Sequence, residues 1–301
     1  MRRIRAILNP RSGARAISTS LLQTLDSAFS EGGADLSFQI SHSPADGREK
    51  ARRAVAEGAD TVIAVGGDGM VNTVGGELIG TGVALGVIPA GSGNGFARHF
   101  GIPLQWGRAA AALARSDRLE IDVGAVNGRS FFVTCSLAWD AEIVKWFERS
   151  PVRGVLPYVM SAAYGLFEYT PQPFETEFDD GQRIVYDDPI VFTAANLTQF
   201  GGGARIAPEA NAQDGRLELV VVLRRDTVQA LAGLGRLFDG TIARLSAVHT
   251  RSFRRLSVRR RRAAPVQIDG ELLPPERELT IEVLDRKLTV LVPRGECVAR
   301  R

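Results

Sequence analysis

The sequence contains little cysteine and little histidine, and this scarcity removes several classes of site. Its two cysteines, Cys135 and Cys297, are isolated and lack the spacing of metal ligands, so we expect both to be packing residues in a reduced setting. The three histidines, His42, His99 and His249, are scattered and form no evident zinc site or catalytic triad. Disulfide-stabilised, zinc-binding and triad-dependent proteins are therefore disfavoured.

Long hydrophobic runs and two common nucleotide motifs are also missing. No apolar stretch approaches the ~20 residues of a membrane-spanning helix. The N-terminal segment MRRIRAILNP lacks a long apolar core and a cleavage site, so we expect a first strand there and not a signal peptide. Neither a Gly-Lys-Ser/Thr P-loop nor a Gly-x-Gly-x-x-Gly fingerprint is present, which disfavours a Walker ATPase and an NAD-dependent dehydrogenase.

The composition is that of an ordinary globular protein with two domains. With 301 residues, 45% of them hydrophobic and 24% charged, the chain is long enough for two cores. Residues 1–125 alternate strands with helical segments, as βαβ units require, whereas residues 126–301 contain many short strands separated by turns. We therefore expect an α/β domain followed by a largely antiparallel β-sandwich. Helical segments are expected within the second domain at residues 141–149, 156–169 and 227–237.

The most informative segment is TVIAVGGDGMVN, residues 61–72, in which an apolar strand runs into a glycine turn with one carboxylate, Asp68. Such a strand is typical of a buried parallel sheet. A helix predicted at residues 71–78 would direct its positive end at the turn, and a carboxylate at an anion site indicates Mg²⁺ as a companion. Three glycines are expected to expose backbone N–H groups, with no side chain to block a phosphate and with the freedom to adopt positive φ: Gly66, Gly67 and Gly69.

Two further strands end in similar turns. Residues 83–88 form an apolar strand that runs into PAGSGNG, residues 89–95, and residues 4–8 form a short strand that ends in NPRSG, residues 9–13. Ligands of open α/β sheets bind outside the carboxyl ends of the strands. The three turns therefore predict one polar, phosphate-binding crevice.

Two segments of the second half carry concentrated charge. RSFRRLSVRRRR, residues 251–262, has seven arginines in twelve residues and could contact nucleic acid, anionic phospholipid or water; we expect a strand with a solvated face. QIDGE, residues 267–271, is a strand followed by a turn with two acids. It could supply a general base for proton transfer, or it could be an ordinary Asp-Gly hairpin.

These motifs together resemble those of the diacylglycerol kinase and sphingosine kinase family of lipid kinases, which is related to NAD kinases and phosphofructokinases. The resemblance implies an NAD kinase/phosphofructokinase-like ATP-binding α/β domain, an all-β sandwich domain for the lipid, and an active site in the interdomain cleft. The matching segments occur in family order: NPRSG (9–13), GGDGMVN (66–72), IPAGSGNGFAR (88–98), IDVG (121–124), GGGARIAPEANAQDGRLELVVV (201–222) and QIDGE (267–271).

The resemblance also implies roles for single residues. Glu271 would be the general base for the lipid hydroxyl, while Asp68 and Asp122 would organise metal and phosphates. A second, structural Mg²⁺ site would use the Asp214 carboxylate and backbone carbonyls of Asn211 and Arg216, although sequence alone predicts only a tight turn there. The implied nucleotide-binding positions are Asn9, Pro10, Arg11, Ser12, Gly13, Ser41, Gly66, Gly67, Asp68, Gly69, Met70, Val71, Asn72 and Ser92.

The sequence departs from the family pattern at three positions. Met70 stands where the family usually has Thr, Thr73 where it has Glu, and Gly95 where it commonly has Asp. These changes bear on catalytic efficiency and on substrate choice.

We therefore expect an ATP- and Mg²⁺-dependent kinase that phosphorylates a hydroxyl of diacylglycerol or of a sphingoid-like lipid. We expect it in the cytoplasm with no nucleic acid partner, and peripheral contact with an anionic membrane at its inner face is left open. Two alternatives stay open: an NAD kinase-like enzyme with a soluble substrate, and a catalytically silent lipid- or nucleotide-binding protein. The sequence indicates neither the lipid nor the oligomeric state, a homodimer included.

Overall fold

The computed structural model describes residues 2–10, 19–30, 33–142 and 169–294. Three expected nucleotide positions, Arg11, Ser12 and Gly13, lie outside the described residues, as do Cys297 and most of the helices expected at residues 141–149 and 156–169. The chain forms two compact units. One comprises Met1–Val123, Gly201–Gly203 and Asp285–Arg301, and the other comprises Gly124–Phe200 and Ala204–Leu284.

The first part of the chain alternates strands and helices, as the βαβ pattern predicts. Its elements are β1 (Arg3–Leu8), α1 (Thr19–Ser30), β2 (Asp35–Ile40), α2 (Pro44–Ala56), β3 (Thr61–Gly66), α3 (Asp68–Gly75), β4 (Ala84–Pro89), α4 (Gly95–His99), α5 (Trp106–Ala114) and β5 (Ser116–Ile121).

The rest of the described chain consists mainly of strands. Its elements are β6 (Gly124–Val126), β7 (Arg129–Phe131), β8 (Thr134–Ser136), β9 (Phe174–Phe178), β10 (Arg183–Tyr186), β11 (Pro189–Ala195), β12 (Leu217–Leu223), α6 (Thr227–Ala232), α7 (Arg236–Asp239), β13 (His249–Phe253), β14 (Arg255–Ile268), β15 (Glu271–Val283) and β16 (Leu288–Pro293).

The sheet of the first unit has the strand order β2-β1-β3-β4-β16-β5. Strands β1 to β4 are parallel, β16 is parallel to β4, and β5 is antiparallel to β16. Every residue of β3 and β4 is buried. Burial of an aliphatic side chain stabilises the fold by about 1.5–3 kcal/mol, so these apolar runs supply much of the core. The predicted parallel sheet with buried central strands is confirmed.

The second unit is an antiparallel β-sandwich-like fold, as predicted. The strands follow the order β13-β12-β11-β8-β14-β15-β6-β7, and β9 pairs with both β14 and β10. Side chains alternate between two apolar clusters along the central strands: on β12, Leu219 and Val221 pack in one cluster, while Val220 and Val222 pack in the other. This period of two is the pattern of a strand buried on both faces.

The last described strand differs from the prediction. The expected second domain, residues 126–301, included it, yet β16 pairs with β4 and β5 in the sheet of the first unit. Residues 201–203 also belong to the first unit. Residues 129–136 contain two separate short strands, β7 and β8.

The basic segment at residues 251–262 forms the end of β13 and much of β14. Leu256 and Val258 are buried and alternate with exposed positions, so the expected strand with a solvated face is confirmed. Arg255 pairs with Glu282 at 3.0 Å and Arg259 pairs with Glu278 at 3.4 Å. Intramolecular pairing therefore compensates part of the positive charge of this strand.

Arg260 is the one arginine of this segment that the structure buries, with 1% of its surface exposed. Its guanidinium donates to the carbonyl oxygens of Leu137, Ala264 and Pro265 at 2.9, 2.7 and 3.2 Å. Burial lowers the pKa of Arg260 to about 10. Arg260 is therefore a structural residue of β14 and has no access to a ligand surface.

Among the described helices, none combines the length and the apolar character needed to cross a bilayer.

Candidate functional site

Four parallel strands of the first unit end level with one another. Leu8 at the end of β1 lies opposite Ile40 of β2 and Val65 of β3, and Gly66 of β3 lies opposite Pro89 of β4. Because parallel strands present their carboxyl ends at one edge, the loops that follow them begin side by side. We call this the carboxyl edge of the first sheet.

Backbone hydrogen bonds hold the starts of these loops together. The amide of Ser41 donates to the Leu8 carbonyl at 2.7 Å, the amide of Asn9 donates to the Val65 carbonyl at 3.2 Å, and the amide of Ala90 donates to the Gly66 carbonyl at 2.9 Å. The structure thus brings together the described nucleotide positions that the sequence predicts: Asn9, Pro10, Ser41, Gly66, Gly67, Asp68, Gly69, Met70, Val71, Asn72 and Ser92.

The first glycine loop, residues 66–69, and the second glycine loop, residues 90–95, are in backbone contact. A Cβ atom on Gly91 would lie 2.6 Å from the Gly67 Cα, and a Cβ atom on Gly67 would lie 3.1 Å from the Gly91 Cα. Real Cβ atoms do not approach backbone to 2.6 Å, so any side chain on Gly91 would push the loops apart. Glycine is required at position 91 because the backbones of the two loops lie too close together for a side chain.

The first glycine loop does not use the positive φ that its glycines would allow. Gly66, Gly67 and Gly69 do not adopt positive φ, and Gly67 has φ −92°. Helix α3 begins at Asp68, three residues before the predicted start, with Gly67 as its N-cap. The first amides of a helix have no partner within it, so this early start places N–H donors and the positive end of α3 at the carboxyl edge.

Asp68 connects the two glycine loops. Its Oδ2 accepts the amide of Gly95 and its Oδ1 accepts the amide of Phe96, both at 3.0 Å, so the carboxylate lies at the start of α4. Burial raises the pKa of Asp68 above its usual value, while these amide donors act in the opposite direction. Asp68 therefore positions the second loop as well as carrying charge at the site.

The second glycine loop is closed by the side chain of Asn94. Asn94 has φ 52° and ψ 45°, the left-handed conformation that asparagine tolerates better than most residues. Its Oδ1 accepts the Gly91 amide at 3.0 Å, and its Nδ2 donates to the Gly91 carbonyl at 2.7 Å. Trp106 Nε1 donates to the Pro89 carbonyl at 3.1 Å, and Arg98 Nε donates to the Gly93 carbonyl at 3.1 Å. These bonds fix the loop from both sides.

A third glycine segment, Gly201–Gly203, packs on this loop, a contact that the sequence did not predict. The amide of Gly202 donates to the Gly93 carbonyl at 3.0 Å, and Gly201 forms a bridge with Asn94. Gly201 has φ 140°, and a Cβ atom there would lie 2.8 Å from the Gly93 Cα. The run of three consecutive glycines was the available signal, although nothing in it identified the contact.

Several predicted nucleotide positions use their side chains internally. Met70 is buried and cannot replace the hydroxyl that the family usually has there. The Ser41 hydroxyl is also buried and donates to the Ser43 carbonyl at 2.9 Å. Thr73 packs in the same region: a Cβ atom on Gly47 would lie 2.9 Å from both Ser41 Oγ and Thr73 Cγ2. Ser92 is exposed in the second glycine loop and presents its hydroxyl to solvent.

Asp122 is not brought to the carboxyl edge, in contrast to its expected role with the phosphates. It follows β5, whose last residue, Ile121, lies opposite Leu288 at the start of β16. Since β16 runs parallel to β4, this is the amino end of the sheet, roughly 20 Å from the glycine loops at about 3.3 Å per strand residue. The buried Asp122 carboxylate instead accepts a hydrogen bond from Lys287 Nζ.

In the second unit, the Asp-Gly segment forms a two-residue hairpin. Asp269 and Gly270 have φ 47° and 90°, as in a type I′ turn, and Ile268 lies opposite Glu271. Asp269 Oδ2 accepts the amide of Phe132 at 2.8 Å, and its Oδ1 accepts two further amides, so this carboxylate is an anchor. Glu271 is half-buried and begins β15 directly after the turn. The structure therefore separates the two acids of QIDGE into an anchor and a second, partly accessible carboxylate.

Asp140 is a further carboxylate that the sequence did not single out. It accepts amide hydrogen bonds from Ala138, Ala141 and Phe192 at 2.9, 3.1 and 3.3 Å, and it also bonds the Thr193 hydroxyl. Burial raises the pKa of Asp140. Because these donors belong to the protein backbone and to Thr193, Asp140 has a structural role. A single Asp in an apolar segment gave no indication of this role in the sequence.

The expected second metal turn, residues 211–216, is closed by its own hydrogen bonds. Asp214 Oδ1 accepts the amide of Arg216 at 2.9 Å, and Asn211 Oδ1 accepts the amide of Gln213 at 3.1 Å. The turn is exposed. Within the described ranges, no group of three or more His, Cys, Asp or Glu side chains could hold a metal ion. Any cation at this turn would therefore depend on backbone carbonyls and water beside Asp214.

The carboxyl edge as a whole can bind an anion. It combines the N-terminus of α3, two touching glycine loops with the exposed Ser92, and one carboxylate that could share a cation with a phosphate. Burial raises the pKa of Cys135 in the second unit, which fits the expected packing role and not a nucleophile.

Comparison with known proteins agrees with this geometry. Residues 3–126 match the diacylglycerol kinase catalytic domain, and residues 134–292 match the YegS C-terminal NAD kinase beta sandwich-like domain. A probable YegS-like lipid kinase of Pseudomonas aeruginosa is 31% identical over 284 residues, which cover 90% of this chain and 89% of that relative. A diacylglycerol kinase of Mycobacterium tuberculosis is 29% identical over 260 residues, which cover 82% of each chain.

Solved structures show the same fold. A putative diacylglycerol kinase from Bacillus anthracis superposes with a TM-score of 0.76 at 22% identity, covering 99% of this chain and 98% of that one. An NAD kinase from Archaeoglobus fulgidus in complex with ATP superposes with a TM-score of 0.53 at 11% identity, covering 97% and 94%.

Proposed function

Since the chain belongs to the lipid kinase family that joins a diacylglycerol kinase catalytic domain to a YegS-type β-sandwich-like domain, we propose that it transfers the γ-phosphate of ATP to a lipid hydroxyl. The acceptor is diacylglycerol or a sphingoid-like lipid. The observation that carries this proposal is the contact of the two glycine loops at the carboxyl edge, together with the start of α3 at Asp68.

The glycine loops supply the binding of the triphosphate. Phosphoryl transfer depends mainly on positioning and on electrostatic stabilisation of the phosphoryl oxygens. Backbone donors held by the Gly67–Gly91 contact are already ordered before the nucleotide arrives, so they lose little entropy when it binds. The hydroxyl of Ser92 adds an exposed donor at the same edge.

The residues at the carboxyl edge fit a magnesium ion that arrives with the nucleotide. Magnesium in kinase sites takes one or two carboxylates plus phosphate oxygens and keeps several waters. Asp68 provides one carboxylate there, which the amides of Gly95 and Phe96 hold at the start of α4. Bound at this carboxylate, the cation would neutralise charge on the phosphates.

Glu271 is proposed as the general base. It is half-buried at the start of a hairpin arm whose turn is fixed by three amide bonds to Asp269, so its backbone position is well defined. A carboxylate in this setting can accept the proton of an attacking hydroxyl. Asp122 has no part in the proposed chemistry, because it lies at the amino end of the sheet and bonds Lys287.

The proposal is tested by incubating the full chain with labelled ATP and magnesium, together with separate lipids dispersed in detergent. The panel contains diacylglycerol, ceramide, sphingosine, phosphatidylglycerol and a polyprenol, with NAD as the soluble comparison. We expect one class of lipid to become labelled and NAD to stay unlabelled. Labelling of NAD alone would favour the soluble-substrate kinase. Nucleotide binding without transfer to any acceptor would favour a silent binding protein, which the presence of Met70 and Thr73 in place of the usual Thr and Glu would then explain.

A further inference from the structure

The connection between β12 and β13 exposes an unusual group of apolar side chains. Val228, Leu231, Leu234 and Phe238 are 81%, 49%, 46% and 63% exposed. Across the ranges that the structure describes, eight large apolar side chains are exposed, and half of them lie in these eleven residues. Single exposed apolar residues are normal, whereas a contiguous group marks an interaction site.

The group lies on an ordered helical segment. Helices α6 and α7 are joined by a turn at residues 233–235. Turn hydrogen bonds run from the Leu234 amide to the Leu231 carbonyl at 3.2 Å and from the Phe238 amide to the Gly235 carbonyl at 3.1 Å. Neighbouring exposed side chains of this group are three, three and four residues apart, the spacings that place side chains on one side of helical turns.

The opposite side of the segment is packed against the second unit. Ala230 and Leu237 pack against an apolar cluster of that unit, and a Cβ atom on Gly233 would lie 2.5 Å from Leu245. The segment is therefore held from its inner side while its outer side stays apolar. A surface helix that is apolar on both sides has a second partner to bury its outer side.

The charge around this group is positive. Residues 224–245 contain four arginines, Arg224, Arg225, Arg236 and Arg244, against two acids, which gives a net charge of +2. All four arginines are exposed. The two acids are engaged within the segment: Asp239 accepts the amide and the hydroxyl of Thr241 at 2.8 and 2.6 Å, and Asp226 is 21% exposed beside Arg225 and His249.

We infer that this apolar and arginine-rich surface, residues 224–245, docks the protein on an anionic lipid bilayer. The inference rests on the proposed function, because a lipid acceptor lies in a bilayer. Apolar side chains that enter the headgroup region and a rim of arginines that contacts anionic headgroups are the features of an interfacial helix. In a two-fold contact with a second copy, the same rim would face its own positive charge, which favours the bilayer as the occupant.

The first test measures binding of the full chain to sedimented vesicles of phosphatidylcholine, with and without phosphatidylglycerol. We expect binding that requires the anionic lipid and weakens at high salt. The double variant Val228→Ser/Phe238→Ser should bind at least tenfold more weakly, because two inserting side chains are lost. Val185→Ser is the matched control: Val185 is 57% exposed on β10, outside the segment, and its replacement should leave binding unchanged.

A charge variant, Arg225→Gln/Arg236→Gln, should lose the preference for anionic vesicles and its dependence on salt. Thermal unfolding of each variant should match that of the wild type, since all the changed side chains are exposed. Equal vesicle binding by the wild type and Val228→Ser/Phe238→Ser would overturn the inference. So would a wild-type dimer that this variant converts to monomer without any change in vesicle binding.

Kinase activity separates this inference from the proposed function. With a short-chain diacylglycerol in detergent, the wild type and Val228→Ser/Phe238→Ser should be equally active, whereas with vesicle substrate the variant should be at least tenfold slower. Activity in detergent with equal rates on vesicles overturns the docking surface alone. No transfer in detergent, combined with intact vesicle binding, overturns the proposed function and leaves the docking surface in place.

Discussion

Gly67 and Gly91 touch through their backbones: a Cβ atom on Gly67 would lie 3.1 Å from the Gly91 Cα, and one on Gly91 would lie 2.6 Å from the Gly67 Cα. The two residues belong to loops that follow neighbouring parallel strands. Their contact sets the spacing of the backbone donors at the carboxyl edge of the first sheet. A side chain at either position changes that spacing, which makes the contact directly testable.

Gly91→Ala should weaken nucleotide binding at least tenfold and lower the free energy of unfolding by about 1–3 kcal/mol, the usual cost of an overpacked site. Fluorescent nucleotide titration and urea unfolding measure the two effects. Gly107→Ala on α5 is the control, because its new Cβ would make an ordinary 3.7 Å contact with Thr24. Normal nucleotide affinity in Gly91→Ala would show that the loop spacing has no role in binding.

Asp122→Asn should leave the KM for ATP within about twofold of the wild type, because the residue lies at the amino end of the sheet. The free energy of unfolding should fall by about 1–3 kcal/mol, since the buried partner of Lys287 loses its charge. Asp117→Asn on the same strand is the control: its pair with Arg294 is exposed on both sides and contributes little. A tenfold rise in the KM for ATP at unchanged stability would contradict this prediction and would show that Asp122 acts at the phosphate site.

Glu271→Gln should reduce kcat by about 10²–10⁴-fold, the usual contribution of a general base, with nucleotide affinity preserved. Glu278→Gln is a matched control on β15, where the exposed Glu278 pairs with Arg259. Steady-state kinetics and nucleotide titration give both quantities. Wild-type turnover in Glu271→Gln would remove this residue from the chemistry.

His99 should make stability depend on pH. Burial lowers the pKa of His99 to about 4, from 6.5 in the unfolded chain, so the unfolded state binds the proton more readily between these values. The stability associated with neutral His99 is complete above pH 6.5 and is lost as the pH falls towards 4, by about 3 kcal/mol at 1.36 kcal/mol per pKa unit. His99→Gln should unfold with a shallower pH dependence over this range. Equal slopes for the two proteins would contradict the assignment.

Asp214→Asn tests the second cation site at residues 211–216. If the turn binds Mg²⁺ as the family resemblance implies, magnesium should raise the Tm of the wild type and have a smaller effect on the variant. Asp187→Asn, in another exposed turn, should respond like the wild type. Identical magnesium responses of all three proteins would leave the residues 211–216 as a turn closed by its own hydrogen bonds.

Local patterns in the sequence were sufficient to predict the carboxyl edge. An apolar run followed by glycine identifies both a buried parallel strand and the loop at its end, so β3, β4 and their loops could be predicted from neighbouring residues alone. The register that aligns Gly66 with Pro89 follows from the shared parallel arrangement. Asp68 was predicted within the glycine turn, whereas it is the first residue of α3, and its bonds to the start of α4 required coordinates.

The reason that glycine occupies the loops could not be predicted. Positive φ and close approach both require glycine, and the sequence cannot distinguish them. In the structure, close approach applies to Gly67 and Gly91, whereas the positive φ of the second loop occurs at Asn94. The exposed side of the helix predicted at residues 227–237 could not be predicted either. Apolar residues on all sides of a helix do not reveal which side faces solvent.

The position of Asp122 in the sheet could not be predicted, because it depends on the pairing of β5 with a strand that is distant in the sequence. The segment IDVG has the same sequence whether its strand runs with or against β4. Its direction is fixed by β16, which lies between β4 and β5 and comes from the opposite end of the chain. A local pattern cannot contain this information.

The insertion of β16 also imposes an order on synthesis. Lys287, which bonds Asp122 beside this strand, is 165 residues further along the chain, so at 5–20 residues per second the ribosome makes β16 roughly 10–30 s after β5. Until then β4 has an unpaired outer edge and β5 has no neighbour, a state that invites pairing with other nascent chains. The sheet of the first unit can therefore complete its folding only after β16 has been translated, well after its other strands.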